Sequence, residues 1–416
     1  MTQSRRKFLR NIALVSGAGA AGAFAGKAAA QASLAPVAAP GAVPAAAAST
    51  SAAPSEVIGV ASSAERALAI VNIEQLELDA KAVLPPGRFA TMGPIGDGWT
   101  YRENRRAFND FPIMPRRLQG TVESEIDLRT RLLDLELPFP MFTAPMGSHG
   151  VYHSGAEVVT ARGTGNAGTL YVSSGASNRP IEEIARASTG PKWFQIYMNR
   201  DMEINRWLVQ RARAAGCTAI VLTADALGPG QSDELIRLGR PYPPDLRPGN
   251  HDPALGGRGN FRDFKRDLGF ADIRFLREAS GLPVVVKGVL HPEDVQQCLA
   301  AGAAAIWVSN HGGRQLDGVP ASISMLPGVA EVVAGRVPLI LDSGVRRGID
   351  VFKALALGAT AVAVGRPVLW GLTNGGSAGV QSVYSHLAAE LRSAFLLCGV
   401  TRVGQIRRDH IAKKIA

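Results

Sequence analysis

From residue 141 onward, the chain alternates short apolar runs with amphipathic stretches. Each apolar run is rich in β-branched or aromatic residues and ends in a polar or glycine-rich turn, a pattern typical of a buried parallel strand followed by a helix. The pattern predicts eight strands, at Met141–Ala144, Thr169–Ser173, Trp193–Tyr197, Ala219–Thr223, Val284–Lys287, Ala305–Ser309, Pro338–Asp342 and Ala361–Gly365. Eight such units favour an α/β fold of the closed (β/α)8 TIM barrel type, with a doubly wound parallel sheet as the alternative.

The helical stretches between these strands are amphipathic, and most of them stop at a glycine. They include Pro180–Ala187, Ile204–Ala215, Pro292–Ala301 and Gly348–Leu357. Residues 65–135 precede the first barrel strand, and we expect them to form helices and a small hairpin that pack against the barrel. Residues 56–416 are therefore predicted to be one domain, with its barrel strands between residues 141 and 365.

The first 55 residues have a different character. Residues 1–30 begin with the basic segment Ser4-Arg5-Arg6-Lys7-Phe8-Leu9, continue as a mildly apolar stretch, and end in Ala28-Ala29-Ala30, an A-x-A cleavage pattern. This resembles a twin-arginine signal peptide and predicts a periplasmic or secreted protein; an uncleaved anchor or a chance basic start is the alternative. Residues 31–55 are uncharged and rich in Ala and Pro, which predicts a flexible linker. No later stretch of apolar residues is long enough to predict a membrane span in the mature chain.

Charge and cysteine content narrow the function classes. The formal net charge is +10, but the first 31 residues contain five basic residues and no acidic one: Arg5, Arg6, Lys7, Arg10 and Lys27. Half of the basic excess therefore lies in the leader, and a nucleic-acid-binding function loses its main support. The three cysteines are widely spaced, and no Cys or His cluster has metal-ligand spacing, so we expect neither a disulfide framework nor a metal site.

Polar residues collect at the ends of the predicted strands, where the loops of a barrel meet at one mouth. Seven strand ends carry them: Ser173 and Ser174, Gln195 and Tyr197, Thr223 and Asp225, Lys287, Asn310 to Arg314, Asp342 to Arg346, and Gly365-Arg366. Each alone fits a solvated loop residue or a cap, but together they indicate a site. The last two turns each pair glycine with arginine, which suits a phosphate because it offers close backbone N–H groups and a guanidinium.

One segment carries a family resemblance. Ser309-Asn310-His311-Gly312-Gly313-Arg314-Gln315-Leu316-Asp317 closely resembles the signature of the FMN-dependent 2-hydroxy acid oxidases and dehydrogenases, the glycolate oxidase and lactate oxidase group. Further matches are Glu103-Asn104-Arg105, Ala144-Pro145, Phe194-Gln195-Ile196-Tyr197, Leu222-Thr223-Ala224-Asp225, Val286-Lys287-Gly288, the segment from Leu341 to Gly348, and Val364-Gly365-Arg366-Pro367. The resemblance runs from about Val71 to about Ala412.

The resemblance implies an FMN enzyme that oxidises a lactate-like or bulkier 2-hydroxy acid to the 2-oxo acid. The electrons would pass to oxygen or to a respiratory acceptor, and the protein would be a homotetramer. Two alternatives stay open: an FMN oxidoreductase for a hydroxy compound that lacks a small carboxylate, and a catalytically eroded flavin-binding protein. The residues that the resemblance assigns to FMN binding are Pro145, Met146, Gly147, Ser173, Gln195, Thr223, Lys287, Ser309, Asp342, Ser343, Gly344, Arg346, Gly365 and Arg366.

The resemblance also assigns the catalytic and substrate-binding residues. His311 is the predicted base, because its ordinary pKa lies near working pH, and Asp225 would orient it and stabilise the imidazolium. Arg314 would grip the substrate carboxylate bidentately, and Tyr197 would hydrogen-bond a substrate oxygen. Lys287 would place a cation beside the flavin ring and stabilise its reduced form.

Two positions depart from the family pattern in ways that weaken the expected grip on a carboxylate. Thr91 stands about where the family has a tyrosine, and Ser232 stands where it has a second arginine. Losing both would make small acids such as glycolate poor substrates unless Arg237, Arg240 or another nearby base substitutes.

Other departures concern space around the substrate. Gly175 replaces a tryptophan and Gly147 replaces an alanine, which predicts room for an aryl or long alkyl substituent. Residues 226–272 are rich in Pro and Gly, so we expect a mobile lid over the site, with a plain surface loop as the alternative.

Overall fold

A computed structural model of the chain describes residues 57–228 and 230–412. The predicted signal peptide at residues 1–30 and linker at residues 31–55 lie outside these residues and stay predictions. In chain order the strands are β1 (Thr130–Leu132), β2 (Leu135–Leu137), β3 (Met141–Met146), β4 (Tyr171–Ser174), β5 (Lys192–Ile196), β6 (Ile220–Thr223), β7 (Val284–Lys287), β8 (Ala305–Val308), β9 (Leu339–Leu341) and β10 (Ala361–Val364).

Strands β3 to β10 form a closed parallel barrel in which each strand pairs with its neighbours in sequence and β10 pairs with β3. The prediction of a (β/α)8 TIM barrel is confirmed, and all eight predicted strands are present. Their ends differ by up to two residues from the prediction: β4 begins at Tyr171 rather than Thr169, and β3 continues to Met146.

The helices surround the barrel and precede it. They are α1 (Ile73–Val83), α2 (Pro86–Ala90), α3 (Trp99–Arg106), α4 (Ala156–Asn166), α5 (Ile181–Arg186), α6 (Met202–Ala214), α7 (Asp233–Arg237), α8 (Ala271–Ser280), α9 (Pro292–Ala300), α10 (Ser322–Val333), α11 (Gly348–Ala356) and α12 (Arg366–Cys398). Short 3-10 helices lie at Ala107–Asp110, Glu123–Glu125, His149–Val151, Pro253–Leu255, Val403–Gln405 and Arg408–His410. Helices α1 to α3 and the β1–β2 hairpin form the extension that the sequence predicts.

Local chemistry explains where several helices begin. The side chains of Asn72 and Asp201 accept hydrogen bonds from the first-turn N–H groups of α1 and α6, which satisfies donors that have no partner inside the helix. Proline opens α2 and α9, where its missing N–H costs nothing. Helix α12 is broken by non-helical backbone at Gly375 and Gly376.

The core has one part between the barrel and its helices and another inside the barrel. Inside the barrel, inward-facing side chains from alternating strand positions pack together, with the Phe142 ring edge-on to Trp193 and Trp307. Leu132 and Leu137 of the hairpin belong to the same cluster. Because this hairpin leads directly into the N-terminal end of β3, it closes that end of the barrel, and the opposite end is left for the site.

Within the described ranges, no helix combines the length and apolarity needed to cross a bilayer. In the same residues, no group of three or more His, Cys, Asp or Glu side chains is placed to hold a metal ion. The three cysteines are buried free thiols.

Candidate active site

A cavity of about 1320 Å³ opens at the C-terminal ends of the barrel strands. Many of the predicted site residues line it: Pro145, Met146, Gly147, Tyr197, Lys287, His311, Arg314, Asp342, Ser343, Gly344, Arg346, Gly365 and Arg366. Five do not line it, namely Ser173, Gln195, Thr223, Asp225 and Ser309. Asp225 and Ser309 hydrogen-bond to His311 and Lys287, which do line it, and Gln195 hydrogen-bonds to Thr223. The barrel thus brings the residues predicted from eight separate loops to one place.

His311 and Asp225 form a hydrogen-bonded pair between the loops after β8 and β6. The His311 Nδ1 lies 2.9 Å from Asp225 Oδ1. An ionised carboxylate can only accept, so Nδ1 carries the hydrogen and Nε2 keeps its lone pair. His311 also has a φ of +58°, a left-handed conformation that non-glycine residues rarely adopt. The surrounding turn holds it there, with the His311 backbone N–H donating to Ser309 Oγ at 3.0 Å.

The electrostatics of the pair favour a neutral histidine beside an ionised aspartate. Burial, followed by the cation of Lys287, lowers the pKa of His311 below its ordinary value of 6.5, against the opposing effect of Asp225. Burial alone would raise the pKa of Asp225, but its interactions with His311 and Lys287 outweigh burial, and the pKa is lowered. At neutral pH the imidazole is therefore free to accept a proton on Nε2.

Tyr197 lies on the cavity wall beside the base. Its hydroxyl oxygen is 3.5 Å from His311 Nε2, and burial raises the pKa of the phenol, so it remains a protonated donor. Phe261 and Phe264, from the long loop after β6, stand edge-on to the Tyr197 ring at 5.9 and 6.0 Å between centroids. These three rings form an aromatic cluster next to the reacting groups.

Arg314 also faces the cavity, three residues after His311 in the same turn. Its Nη1 donates to the backbone oxygens of Thr91 at 2.7 Å and Gly93 at 2.8 Å. Two acceptors use both hydrogens of Nη1, which leaves the Nε and Nη2 edge of the guanidinium for a carboxylate.

Lys287, at the end of β7, is 3% exposed and is held by two neighbours. Its ammonium donates to Ser309 Oγ at 3.0 Å and lies 3.7 Å from Asp342 Oδ2. A buried, fixed cation in the cavity wall is the arrangement that stabilises negative charge on a neighbouring group.

The residues present fit FMN, as an unpaired buried donor in the cavity wall indicates. Ser173 Oγ and Arg346 Nε are both buried and have no hydrogen-bond partner within the described residues. Nearby, Gln195 Oε1 accepts from Ser174 Oγ and its Nε2 donates to Thr223 Oγ1, at 2.9 and 2.8 Å. Since buried polar groups normally have partners and Arg346 lines the cavity, its unpaired Nε points to a polar ligand there, whereas Ser173 does not line the cavity.

The turns after β9 and β10 line the part of the cavity where the sequence predicts a phosphate. Helices α11 and α12 begin directly after these turns, so their N-terminal dipoles favour an anion there. Gly344 has a φ of +93°, and a Cβ on it would collide with the backbone oxygen of Asn104. Arg346 is 5% exposed and stacks on Trp370, with its charged carbon 4.8 Å from the ring centroid. FMN would be held here by backbone N–H groups and Arg346.

Arg366, the second arginine predicted to bind the phosphate, donates hydrogen bonds to backbone oxygens of the protein. Its guanidinium donates to the backbone oxygens of Met92 at 2.6 Å, Gly312 at 2.8 Å and Gly93 at 3.4 Å. Burial lowers its pKa to about 10. Arg366 therefore ties the N-terminal extension to the loop after β8 with three of its five N–H groups, and Arg346 is the one of the two with a buried donor that has no partner in the described residues.

The two carboxylate-site departures have local roles. Ser232 Oγ caps helix α7 by accepting from Leu235 N at 3.4 Å. The Thr91 hydroxyl lies 2.6 Å from the backbone oxygen of Arg88 and 2.9 Å from the Tyr152 hydroxyl. Of the two substitutes considered, Arg240 lines the cavity and Arg237 does not.

The expectation that Gly147 opens space is wrong. A Cβ at Gly147 would lie 2.6 Å from the Ala176 Cβ and 2.8 Å from the Ala176 backbone oxygen, so Ala176 already fills that volume. Gly175 does not face the cavity, and a Cβ there would press on the Gln195 backbone oxygen at 3.1 Å. Room for the substrate therefore depends on the loop after β6, whose residues 242–244 and 246–248 line the cavity.

Two residues in or near the site were missed in the sequence. Tyr152 lines the cavity, but its aromatic ring follows a turn with no motif of its own. Asn104, recognised only as part of a matching segment, exchanges two amide hydrogen bonds with Asn310 at 2.8 and 2.7 Å. This pair joins α3 to the catalytic turn, a contact that spacing along the chain cannot indicate.

Comparisons with known proteins agree with this geometry. Residues 80–413 match the family described as FMN-dependent dehydrogenase. An L-lactate oxidase of Lactobacillus jensenii is 40% identical over 357 residues, which cover 84% of this chain and 87% of that protein. Glycolate oxidase 3 of Oryza sativa subsp. indica is 39% identical over 354 residues, covering 82% and 96%.

Solved structures of such oxidases also resemble this chain. A Pediococcus acidilactici protein described as a lactate oxidase superposes with a TM-score of 0.81 and 38% identity, covering 86% of this chain and 98% of its own. Mandelate oxidase with benzoyl-formic acid superposes with a TM-score of 0.76 and 36% identity, covering 82% and 97%. The chain therefore belongs to the FMN-dependent dehydrogenase family.

Proposed function

We propose that this protein oxidises a 2-hydroxy acid with a bulky, aryl or long alkyl, substituent to the 2-oxo acid, with FMN as its cofactor. The observation that carries the proposal is the neutral His311, oriented by Asp225, in one cavity with the free edge of Arg314. Lactate and glycolate oxidases among the relatives, and the mandelate oxidase that binds benzoyl-formic acid, support the 2-hydroxy acid class. The electrons pass on to oxygen or to a respiratory acceptor.

The residues divide the work between positioning and proton transfer. Arg314 binds the carboxylate and so places the hydroxyl-bearing carbon near His311 Nε2. His311 takes one proton from the substrate, and Asp225 stabilises the resulting imidazolium. FMN, when bound, would accept the two electrons together with the second hydrogen that the substrate loses. Lys287 is the fixed cation that stabilises the negative charge arriving on that side of the cavity.

Substrate size follows from the aromatic cluster. Phe261 and Phe264 stand beside Tyr197 and line the same cavity as His311. An aryl or long alkyl group would bury apolar area against these rings, whereas the hydrogen of glycolate would bury none.

Anaerobic mixing of the FMN-loaded protein with a set of compounds tests the proposal. We expect mandelate and 2-hydroxyoctanoate to bleach the flavin absorbance at low concentration, lactate to need more, and glycolate to be weakest. Mandelamide and phenylethanediol, which match mandelate in size but lack the carboxylate, are the controls and should react slowly. Preferential bleaching by these neutral compounds would support an enzyme for carboxylate-free hydroxy compounds, and bleaching by none would indicate an eroded flavoprotein.

We also propose that residues 1–30 direct export through the twin-arginine route to the periplasm or beyond, and that the exported chain is a homotetramer. The first rests on the Arg5-Arg6 pair and the A-x-A pattern, the second on family resemblance. The double variant Arg5→Lys, Arg6→Lys is expected to retain the protein in the cytoplasm, while Arg10→Lys, which keeps the pair, is exported normally. The amount of the FMN-loaded protein in the periplasmic and cytoplasmic fractions checks this prediction. Equal export of both variants would contradict the twin-arginine route.

A further inference from the structure

Tyr152 is a buried hydroxyl group inside the cavity for which the site described above has no use. It follows the 3-10 helix His149–Val151 in the loop after β3 and is 5% exposed. Arg314 and Arg366 line the same cavity, and their charges lower the pKa of the Tyr152 hydroxyl against the larger, raising effect of burial. A phenol in this position shares the cavity with Arg314, the residue proposed above to bind the carboxylate.

The backbone around Tyr152 is held from several directions. The Arg88 side chain donates to the backbone oxygens of Gly150 and Val151 at 3.3 and 2.8 Å. The Ser62 backbone N–H donates to the Tyr152 backbone oxygen at 3.1 Å. Asn178 accepts from the Gly150 N–H at 2.9 Å. The ring therefore projects into the cavity from a well-held backbone, so little conformational entropy is lost when a ligand binds to it.

The Tyr152 hydroxyl can redirect its hydrogen bond from Thr91 to a stronger acceptor. Thr91 Oγ1 is 2.6 Å from the Arg88 oxygen and 2.9 Å from the Tyr152 hydroxyl. Because a hydroxyl has one hydrogen and a carbonyl can only accept, Thr91 donates to Arg88 and Tyr152 donates to Thr91. A carboxylate is a stronger acceptor than a hydroxyl, so it would capture the Tyr152 donor.

Thr91 also connects Tyr152 to Arg314. Its side chain bonds the Tyr152 hydroxyl, and its backbone oxygen accepts from Arg314 Nη1 at 2.7 Å. Tyr152 and Arg314 are thus both within hydrogen-bond distance of a single residue, one at its side chain and one at its backbone. An anion bound to the free edge of Arg314 would therefore lie in the cavity that this phenol also lines.

We propose that Tyr152 is a substrate-binding residue that donates a hydrogen bond to the substrate carboxylate together with Arg314. It supplies, from the loop after β3, the hydroxyl that Thr91 is too short to supply from its own position. Burial raises the pKa of Tyr152, so the group stays a donor throughout the working pH range. The inference rests on the proposed function, because it takes the substrate to be a carboxylate.

The test compares Tyr152→Phe with the wild-type FMN-loaded protein. Loss of one hydrogen bond to a charged group is expected to raise KM for the best 2-hydroxy acid about 10- to 100-fold. The dissociation constant of the 2-oxo acid, read from the perturbed flavin spectrum without turnover, should rise by the same factor. FMN affinity should not change, and KM for a carboxylate-free alcohol should stay close to the wild-type value.

Two further variants separate a specific contact from a packing effect. Tyr171→Phe removes another buried tyrosine hydroxyl, one that packs with Ala161 and Ile184 away from the cavity, and should leave both constants unchanged. Thr91→Val removes the resting acceptor of Tyr152 and should not weaken 2-oxo acid binding. If Tyr152→Phe does not fold, Thr91→Val still decides, because a 10-fold or larger loss of binding would make Thr91 the contact and overturn the proposal.

The outcomes also distinguish this inference from the proposed function. An unchanged KM and dissociation constant in Tyr152→Phe, with acids still reducing the flavin, would overturn the role of Tyr152 alone. Failure of every hydroxy acid to reduce the wild-type flavin would instead overturn the proposed function. In that case 2-oxo acid binding remains measurable, and an unchanged dissociation constant in Tyr152→Phe would overturn the inference as well.

Discussion

His311→Ala is expected to slow anaerobic flavin reduction by the best 2-hydroxy acid about 10²- to 10⁴-fold, the usual contribution of a positioned general base. The effect should lie in the rate constant of reduction and not in FMN binding, because His311 contacts Asp225 and Tyr197 and not the phosphate side of the cavity. Stopped-flow measurement of flavin bleaching at saturating substrate gives this rate constant directly.

Two companion variants make the result specific. Asp225→Asn keeps the shape of the pair but removes the charge that fixes the Nδ1 hydrogen, so it should also reduce the rate strongly. His291→Ala removes a histidine that caps helix α9 outside the cavity and should reduce flavin at the wild-type rate. Wild-type reduction in His311→Ala would show that another group takes the proton.

The pH dependence of the same rate constant follows from the environment of the pair. Burial and Lys287 lower the pKa of His311, so the neutral base persists below pH 6.5. The rate should fall as the pH drops through this lowered value, because protonated His311 cannot accept a proton. Asp225 opposes the shift, so Asp225→Asn should move the acid limb of the profile to still lower pH.

The barrel was predictable because each of its units is a local pattern. An apolar run that ends in a polar turn, such as Val284–Lys287, specifies a buried strand and a strand-end residue at once, whatever lies elsewhere in the chain. Closure then puts all strand ends at one mouth. For this reason the sequence alone suffices to assign Lys287 and His311, which come from separate loops, to the same site.

The substrate end of the cavity was less predictable because it depends on contacts between distant segments. Whether Gly147 leaves room depends on Ala176, which fills the space from the next loop. Whether Arg366 is free for a phosphate depends on backbone oxygens of Met92, Gly93 and Gly312 that compete for it. Side-chain identity at one position contains none of this information.

Arg346→Met is expected to weaken FMN binding about 10²- to 10⁴-fold. Arg346 is the arginine in the phosphate turns with an unpaired buried Nε, and two charge-assisted hydrogen bonds to a phosphate contribute about 3–6 kcal/mol. Methionine keeps apolar contact with Trp370, so the fold should survive. Quenching of FMN fluorescence during titration of the flavin-free protein measures the dissociation constant, and far-UV circular dichroism checks the fold.

The neighbouring arginine provides a matched control for this prediction. Arg347 is half-exposed and pairs with Glu390 on α12, with Nε 3.3 Å from the carboxylate, so Arg347→Met removes the same charge one residue away without touching the cavity. It should bind FMN nearly as the wild type does, since exposed ion pairs contribute little. Equal weakening in both variants would mean that net charge attracts the flavin, and wild-type affinity in Arg346→Met would place the phosphate elsewhere than at the ends of β9 and β10. Only a large loss confined to Arg346 fits a phosphate held by this guanidinium and the two helix N-termini beside it.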